Sequence, residues 1–230
     1  MHEEVFDIVL VVKSSEPELI SMTQDCINSL RKCEKTIKFN IIIIETHTFR
    51  GYEDVNLQLV FIKSNFNYNE ALNYGFSFCH NQHILFCNND LIFHEGFDLA
   101  LKAGFDAGYL SLSPFNWRGV TGEITTDVEF LEGYRIGSRI MGWCIAVDRK
   151  IFDSIGKFDD GVEFWYSDHL YAHQIKKAGI KHALCIHSFV DHLESRTLNL
   201  CSLAESVEKQ IGQIPKYEES LIRIMRVKNG

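Results

Sequence analysis

The apolar residues of this chain fall first into short unbroken runs. Phe6 to Val12 reads FDIVLVV and Phe39 to Ile44 reads FNIIII, both rich in β-branched residues and bounded by polar ones. Runs without alternation predict strands buried on both faces. Leu57 to Ile62 and Ile84 to Cys87 repeat the pattern. Between them the period changes. Ser15-Glu16-Pro17-Glu18 offers a hydroxyl, a first-turn proline and acids where a helix begins, and Leu19, Met22, Cys26, Ile27 and Leu30 then recur at helical spacing up to about Cys33. Asn69 to His80 is expected to form a second helix.

Strand, helix, strand, strand, helix, strand predicts an α/β fold with a mostly parallel central sheet flanked by helices. Ligands of such sheets bind beyond the carboxyl ends of the strands. The residues there are Lys13-Ser14-Ser15, Glu45-Thr46, Lys63-Ser64-Asn65 and Asn88-Asn89-Asp90, expected to converge on one sheet edge. Past Asp90 the alternation breaks down. Gly108 to Gly122 reads as strand and loop, Glu123 to Tyr134 as an acidic flexible stretch, and Gly137 to Val147 as a small-residue segment entering a strand. A short helix at Lys150 to Ile155, a turn at Gly156 to Asp160, a helix at Ser167 to Ala178 and a strand at Ala183 to His187 follow. From about Leu200 to Val227 two amphipathic helices are expected, broken near Pro215.

Composition narrows the class. At 230 residues, with 46% hydrophobic and 23% charged residues, the chain can bury a substantial core. A net charge of −8 argues against coating nucleic acid through phosphate neutralisation alone, though a local basic strip would escape that argument. An acidic protein that handles a phosphorylated small molecule often recruits a divalent cation. The seven cysteines form no CxxC pair and several sit in apolar runs, which points to free thiols and a reducing compartment. The acidic N-terminus is unlike a signal peptide and no apolar run is long enough to span a membrane, so a cytoplasmic protein without stable membrane insertion is expected.

Four segments in order resemble a family 2 glycosyltransferase of the GT-A fold, over about Asp7 to Thr197. NFNYNEALNYGF (Asn65–Phe76) is similar to the Asn/Gly-rich segment ending in N-x-G, matched by Asn73 and Gly75. ILFCNNDLIF resembles the strand ending in the D-x-D-type motif, with N-N-D in its place. Gly142 to Gln174 looks like the acceptor-side block, and VDHLESRT (Val190–Thr197) like the late histidine segment. The resemblance implies a GT-A domain over residues 1–199, with a nucleotide-sugar-binding half at 1–95 and an acceptor-side half at 96–199. Residues 200–230 would be a helical extension that packs on the domain, forms a homodimer seam or covers the acceptor site. The chain departs from the family where a second-strand Asp-Asp becomes Glu45-Thr46, where Glu-Asp becomes Ser167-Asp168, and where R-x-x-x-G is absent near His173-Gln174.

By this resemblance the chain is a metal-dependent inverting hexosyl- or pentosyltransferase using a nucleoside-diphosphate sugar, UDP-linked by preference. Its acceptor would be a glycan or another hydroxyl compound, a hydroxymethylated DNA base in a phage setting included. Mn²⁺ or Mg²⁺ would be held by Asp90 and His192, with His187 the competing histidine. A polar turn is the plain alternative for Asp90. Asp168 is the candidate general base, with a helix cap as its alternative. The nucleotide-sugar set is Lys13, Ser14, Glu45, Asn65, Asn73, Asn88, Asn89, Gly142 and Trp143. Within it Asn88 would meet the ribose, Glu45 the base or ribose, and Gly142 would allow close approach of the donor sugar. Trp143 and Trp165 would stack on a sugar or fill core. Arg139 and Arg149 are weaker phosphate candidates, and Asp159 would hold a turn. Two rivals stand beside this reading. One is a non-catalytic nucleotide-sugar-binding or scaffolding protein of the same fold. The other is a nucleotidyltransferase, disfavoured because KSSEPE lacks the glycines of a triphosphate loop.

Overall fold

The four apolar runs lie side by side as β1 (Glu4–Val12), β2 (Ile37–Glu45), β3 (Leu57–Phe61) and β4 (His83–Cys87), in the order β3-β2-β1-β4 and all parallel. The structure is a computed structural model that describes residues 4–47, 51–54, 57–62, 67–118, 127–193 and 203–226. Parallel strands need crossovers, supplied by α1 (Pro17–Cys33) between the neighbours β1 and β2 and by α2 (Tyr68–Phe76) on the way from β3 at the sheet edge to β4 beside β1. Pro17 opens α1, where its missing N–H costs nothing. Asn67 caps α2 by accepting from the Glu70 N–H at 3.0 Å.

The remaining elements are β5 (Leu91–Phe93), α3 (Phe97–Asp106), β6 (Ser111–Asn116), β7 (Phe130–Glu132), β8 (Cys144–Asp148), α4 (Ile151–Ile155), α5 (Ser167–Lys177), β9 (His182–His192), α6 (Leu203–Gly212) and α7 (Ile214–Arg226). They extend the sheet to β3-β2-β1-β4-β8-β6-β9-β5, with β7 also on β9. β6 and β9 run with the first four strands, whereas β8, β5 and β7 run against them. Several expectations for the second half change. The segment after Asp90 forms β5 and α3, the latter with Phe97, Leu101 and Phe105 buried. Part of the stretch read as flexible is strand β7, and β9 runs on to His192. Pro215 lies in the first turn of α7, just past the break between the last two helices.

Burial on both faces follows from the strand period of two. Phe6, Ile8, Leu10 and Val12 of β1 pack with Cys26, Ile27 and Leu30 of α1 and with Phe97 and Leu101 of α3. Val9 and Val11 face the other way, onto Ala71 and Leu72 of α2 and onto a cluster that includes Phe152, Tyr171 and Ile175. Gly75 makes this second layer tight: a Cβ there would stand 2.4 Å from Val9 Cγ1 and 3.2 Å from Ile44 Cγ1. Of the last two helices α7 packs on the domain, where its Ile224 and Tyr217 meet Val162 and Leu170.

Strand order reverses between β1 and β4. That is where an open α/β sheet leaves a crevice at its carboxyl edge, and Lys13 and Asn88-Asn89-Asp90 leave the sheet there.

Candidate active site

Three tertiary pairings assemble the site at this edge. β5 runs antiparallel to β9 with Leu91 opposite His192, and the Leu193 N–H donates to the Asp90 carbonyl at 2.9 Å. The ladder sets Asp90 beside His192, with Oδ2 3.4 Å from Nε2. The Asn88 N–H donates to the Trp143 carbonyl at 2.8 Å, which fixes the end of β4 against the entry to β8. Trp143 then lies flat on the His192 ring, with centroids 5.2 Å apart and planes 17° from parallel. His187, the competing histidine, is exposed and lies edge-on to Phe189.

Asp90 is 3% exposed, and its Oδ1 and the Nε2 of His192 have no hydrogen-bond partner. An orphaned carboxylate oxygen beside an orphaned imidazole nitrogen is costly to bury, and suits a divalent cation that takes carboxylate and imidazole together. Among the described residues no cluster of three or more His, Cys, Asp or Glu could hold an ion. The remaining ligands would therefore come from substrate or solvent, the usual arrangement when phosphates complete the shell.

Two cavities meet here. The larger, about 1190 Å³, takes in Lys13, Asn88, Asn89 and Asp90 at the strand ends and Gln213 and Lys216 on the far wall. The smaller, about 260 Å³, takes in Gly142, Trp143, Asp168 and His192. Tyr68, Asn88, Phe164 and Trp165 line both. Tyr68 was not singled out from the sequence. It is buried at the start of α2, and its hydroxyl donates to Asn88 Oδ1 at 2.8 Å. Burial raises its pKa far above the ordinary tyrosine value, so it stays a donor.

Asp168 stands in the first turn of α5, after Tyr166, a non-glycine residue in the left-handed region at φ 68°. Its Oδ1 accepts from the His169 N–H at 2.8 Å and bonds His169 Nδ1 at 2.9 Å, while Oδ2 takes part in neither bond. The bond to Asp168 raises the His169 pKa. Gly142 matters because of Asp168: a Cβ at 142 would stand 2.8 Å from Asp168 Oδ2 and 2.9 Å from its Cβ. The room expected for a donor sugar at this glycine is thus taken up by the candidate base.

Other expected contacts are turned inward. Glu45 is fully buried, and its Oε1 accepts from the Ser14 N–H at 3.1 Å and the His47 N–H at 2.8 Å, tying the turn after β1 to the end of β2. Ser14 is itself buried and its hydroxyl bonds Tyr52, so from these two turns it is Lys13 and Thr46 that line the larger cavity. The Asn89 amide donates to Thr23 Oγ1 of α1 at 2.7 Å, although the residue borders that cavity. Asn73 lies away from both cavities. Its amide donates to the Phe158 carbonyl at 2.9 Å and its oxygen accepts from the Phe158 N–H at 3.0 Å. Asn69 holds the Asp159 carbonyl at 2.7 Å. The Asn-rich segment is therefore a clamp on the 158–160 turn. Asp159 supports that turn through the Gly161 N–H at 3.0 Å and Arg223 at 2.7 Å. Arg149 sits at the opposite sheet edge, bonded to the Asn81 carbonyl at 3.0 Å, and Arg139 bonds the Ser138 carbonyl at 2.8 Å. Asn65 lies outside the described residues.

No family model and no curated protein matches the chain. Solved structures do. The crystal structure of S. aureus TarS 1-349 superposes with a TM-score of 0.56 at 13% identity, over 80% of this chain and 58% of that one. The same TarS fragment in complex with UDP-GlcNAc gives a TM-score of 0.58 at 14% identity, over 86% and 61%. The fold is GT-A. This chain spans about three-fifths of those TarS structures. Among the described residues no helix is long and apolar enough to cross a membrane.

Proposed function

We propose that this chain is a metal-dependent inverting glycosyltransferase that moves a sugar from a uridine-diphosphate donor to an acceptor hydroxyl. The observation that carries it is the pair of unpartnered buried atoms, Asp90 Oδ1 and His192 Nε2, at the carboxyl edge of β4, with Asp168 bordering the adjoining cavity. The UDP-GlcNAc complex of TarS, on the same fold, supports a uridine donor.

Asp90 and His192 would hold Mn²⁺ or Mg²⁺, which when bound offsets the negative charge of a departing diphosphate. Trp143 fixes the His192 ring by stacking, so its Nε2 stays turned to Asp90. Tyr68 occupies Asn88 Oδ1, which leaves the Asn88 amide hydrogens for an acceptor group such as a ribose hydroxyl. Asp168 uses Oδ1 to hold His169, and that bond raises the pKa of the imidazole. Its Oδ2 then takes the acceptor proton. Because a diphosphate leaves without protonation, one carboxylate serves where glycoside hydrolysis needs two.

UDP binding tests the reading. With Mn²⁺ and UDP at about a hundredfold above Kd, linkage adds about 2.7 kcal/mol, and Tm rises by about 5–10 °C for a chain of this size. Asp90→Ala should lose most of that increment. No stabilisation of the wild type, or an undiminished one in Asp90→Ala, overturns the proposal. Asp168→Asn should keep the UDP increment and lose hydrolysis of a sugar nucleotide; hydrolysis absent from the wild type as well, with binding intact, would favour the non-catalytic reading.

A further inference from the structure

The irregular segment 159–166 runs between the two cavities and carries Phe164 and Trp165, which line both. One side of it is held by α2: the Asn69 and Asn67 amides donate to the Asp159 and Asp160 carbonyls at 2.7 and 2.8 Å, and the Tyr68 N–H to the Glu163 carbonyl at 2.6 Å. The C-terminal helices hold the other side. Gln213, between α6 and α7, is 7% exposed, and its Oε1 accepts from the Glu163 and Phe164 N–H groups, both at 3.1 Å. Further along α7, Arg223 Nη2 reaches both Asp159 oxygens at 2.7 and 2.8 Å.

We infer that Gln213 is a positioning residue for the nucleotide side of the site. The inference rests on the function proposed above. A single amide oxygen that accepts two successive backbone N–H groups fixes the peptide planes at 163 and 164, and so the direction in which Phe164 leaves the chain. Phe164 meets Tyr68 edge-on, with centroids 5.7 Å apart, and the Tyr68 hydroxyl holds the Asn88 side chain two residues before Asp90. The path from Gln213 to the candidate metal and ribose contacts is therefore continuous: one hydrogen-bonded pair, one ring contact, one hydrogen bond. Removing the oxygen leaves two donors to find other acceptors, and the segment shifts to find them. The helical extension thus belongs to the donor site, since Gln213 and Lys216 also form part of its wall.

Calorimetric titration of the full chain with UDP in Mn²⁺ tests this, at a temperature where circular dichroism shows each variant folded. Gln213→Ala should weaken UDP about tenfold, and Gln213→Glu, which keeps an acceptor oxygen, should stay within about threefold of wild type. Arg223→Ala is the control. It removes another tether of α7 and should lower Tm while leaving UDP affinity within about twofold. Should Gln213→Ala not fold, Gln213→Asn draws the oxygen back by one methylene and should weaken UDP by about three- to tenfold. Unchanged affinity in folded Gln213→Ala or Gln213→Asn overturns the inference, as does an equal loss in Arg223→Ala, which would mean general loosening. A wild type that binds no UDP overturns the functional reading, and this inference with it.

Discussion

Replacing Gly142 by alanine asks directly whether Asp168 is the base. A methyl group at 142 would stand 2.8 Å from Asp168 Oδ2, 2.9 Å from its Cβ and 3.1 Å from its Cγ. Comfortable separations are about 3.5–4.0 Å, so the side chain has to retreat by roughly 0.5–1 Å. The backbone offers no competing explanation, because Gly142 is not among the residues with positive φ. The helix resists moving as a body: Tyr171, one turn beyond Asp168, is buried and its hydroxyl meets Ser111 Oγ at 2.6 Å. The carboxylate is what yields. A misplacement of about 1 Å costs on the order of a hundredfold in rate, or about 2.7 kcal/mol in the transition state. Release of UDP from a sugar nucleotide, measured alongside UDP affinity, separates the two cavities. Turnover should fall about a hundredfold while affinity holds within about twofold, and in an Asp168→Asn background the alanine should add almost nothing. Unchanged turnover refutes the reasoning. So does a parallel loss of affinity, which would return Gly142 to the role of close approach to the donor.

Two further predictions concern the scaffold. His182 is buried, its Nε2 donates to the Arg139 carbonyl at 3.0 Å and its Nδ1 accepts from Ser111 at 2.7 Å, and burial draws its pKa down to about 4. The folded value lies below the unfolded one of about 6.5, so stability is whole above that pH and is lost as pH falls from about 6.5 towards 4, by roughly 3 kcal/mol in all. Burial shifts His83 the same way, so the comparison is with His182→Gln: its urea midpoint should fall less between pH 7 and 4.5, and equal falls would refute the assignment. Gly75→Ala drives a methyl group to 2.4 Å from Val9 Cγ1; overpacking of this kind costs about 1–3 kcal/mol, and a Tm within 1 °C of wild type would show that α2 does not press on the sheet as described.

The first half of the fold was legible because its signals are local. FDIVLVV and FNIIII read as strands buried on both faces from their shortness, polar flanks and β-branched residues, and Pro17 marks the start of a helix whose apolar face repeats every three or four residues. The second half hid its order in weaker signals. α3 carries Phe97, Leu101 and Phe105 at helical spacing, yet it begins on Gly96 at φ 85° in place of a Ser, Thr, Asp or Asn cap. β5 and β7 are three residues each, too short for a period of two to show. They exist because β9 offers them a partner, and a partner about a hundred residues away for β5 and about fifty for β7 leaves no mark on the local pattern.

The site divides along the same line. Asp90 after a buried strand, Asp168 at a helix start and His192 late in the chain were chosen by type and place, and the fold sets all three at the cavities. Other candidates chosen the same way close their polar atoms on the protein itself. Asn73, Asn89, Ser14 and Glu45 carry the same groups as nucleotide ligands, but their partners are Phe158, Thr23, Tyr52 and the Ser14 and His47 amides. Satisfying buried amides within the chain is the commoner use of such side chains, and only the fold tells the two uses apart. Tyr68 shows the converse. A tyrosine opening a helix reads as core, yet it lines both cavities because α2 enters at the crevice between β1 and β4. What distinguishes Asp90 and His192 from every other expected contact is that the fold brings them within 3.4 Å and leaves an atom of each unsatisfied. The neighbouring His94 and Asp191, with Nε2 3.0 Å from Oδ2, likewise keep an unsatisfied atom each, so the open atoms of Asp90 and His192 count through their place at the cavities. There the proposed cation would take up both of them.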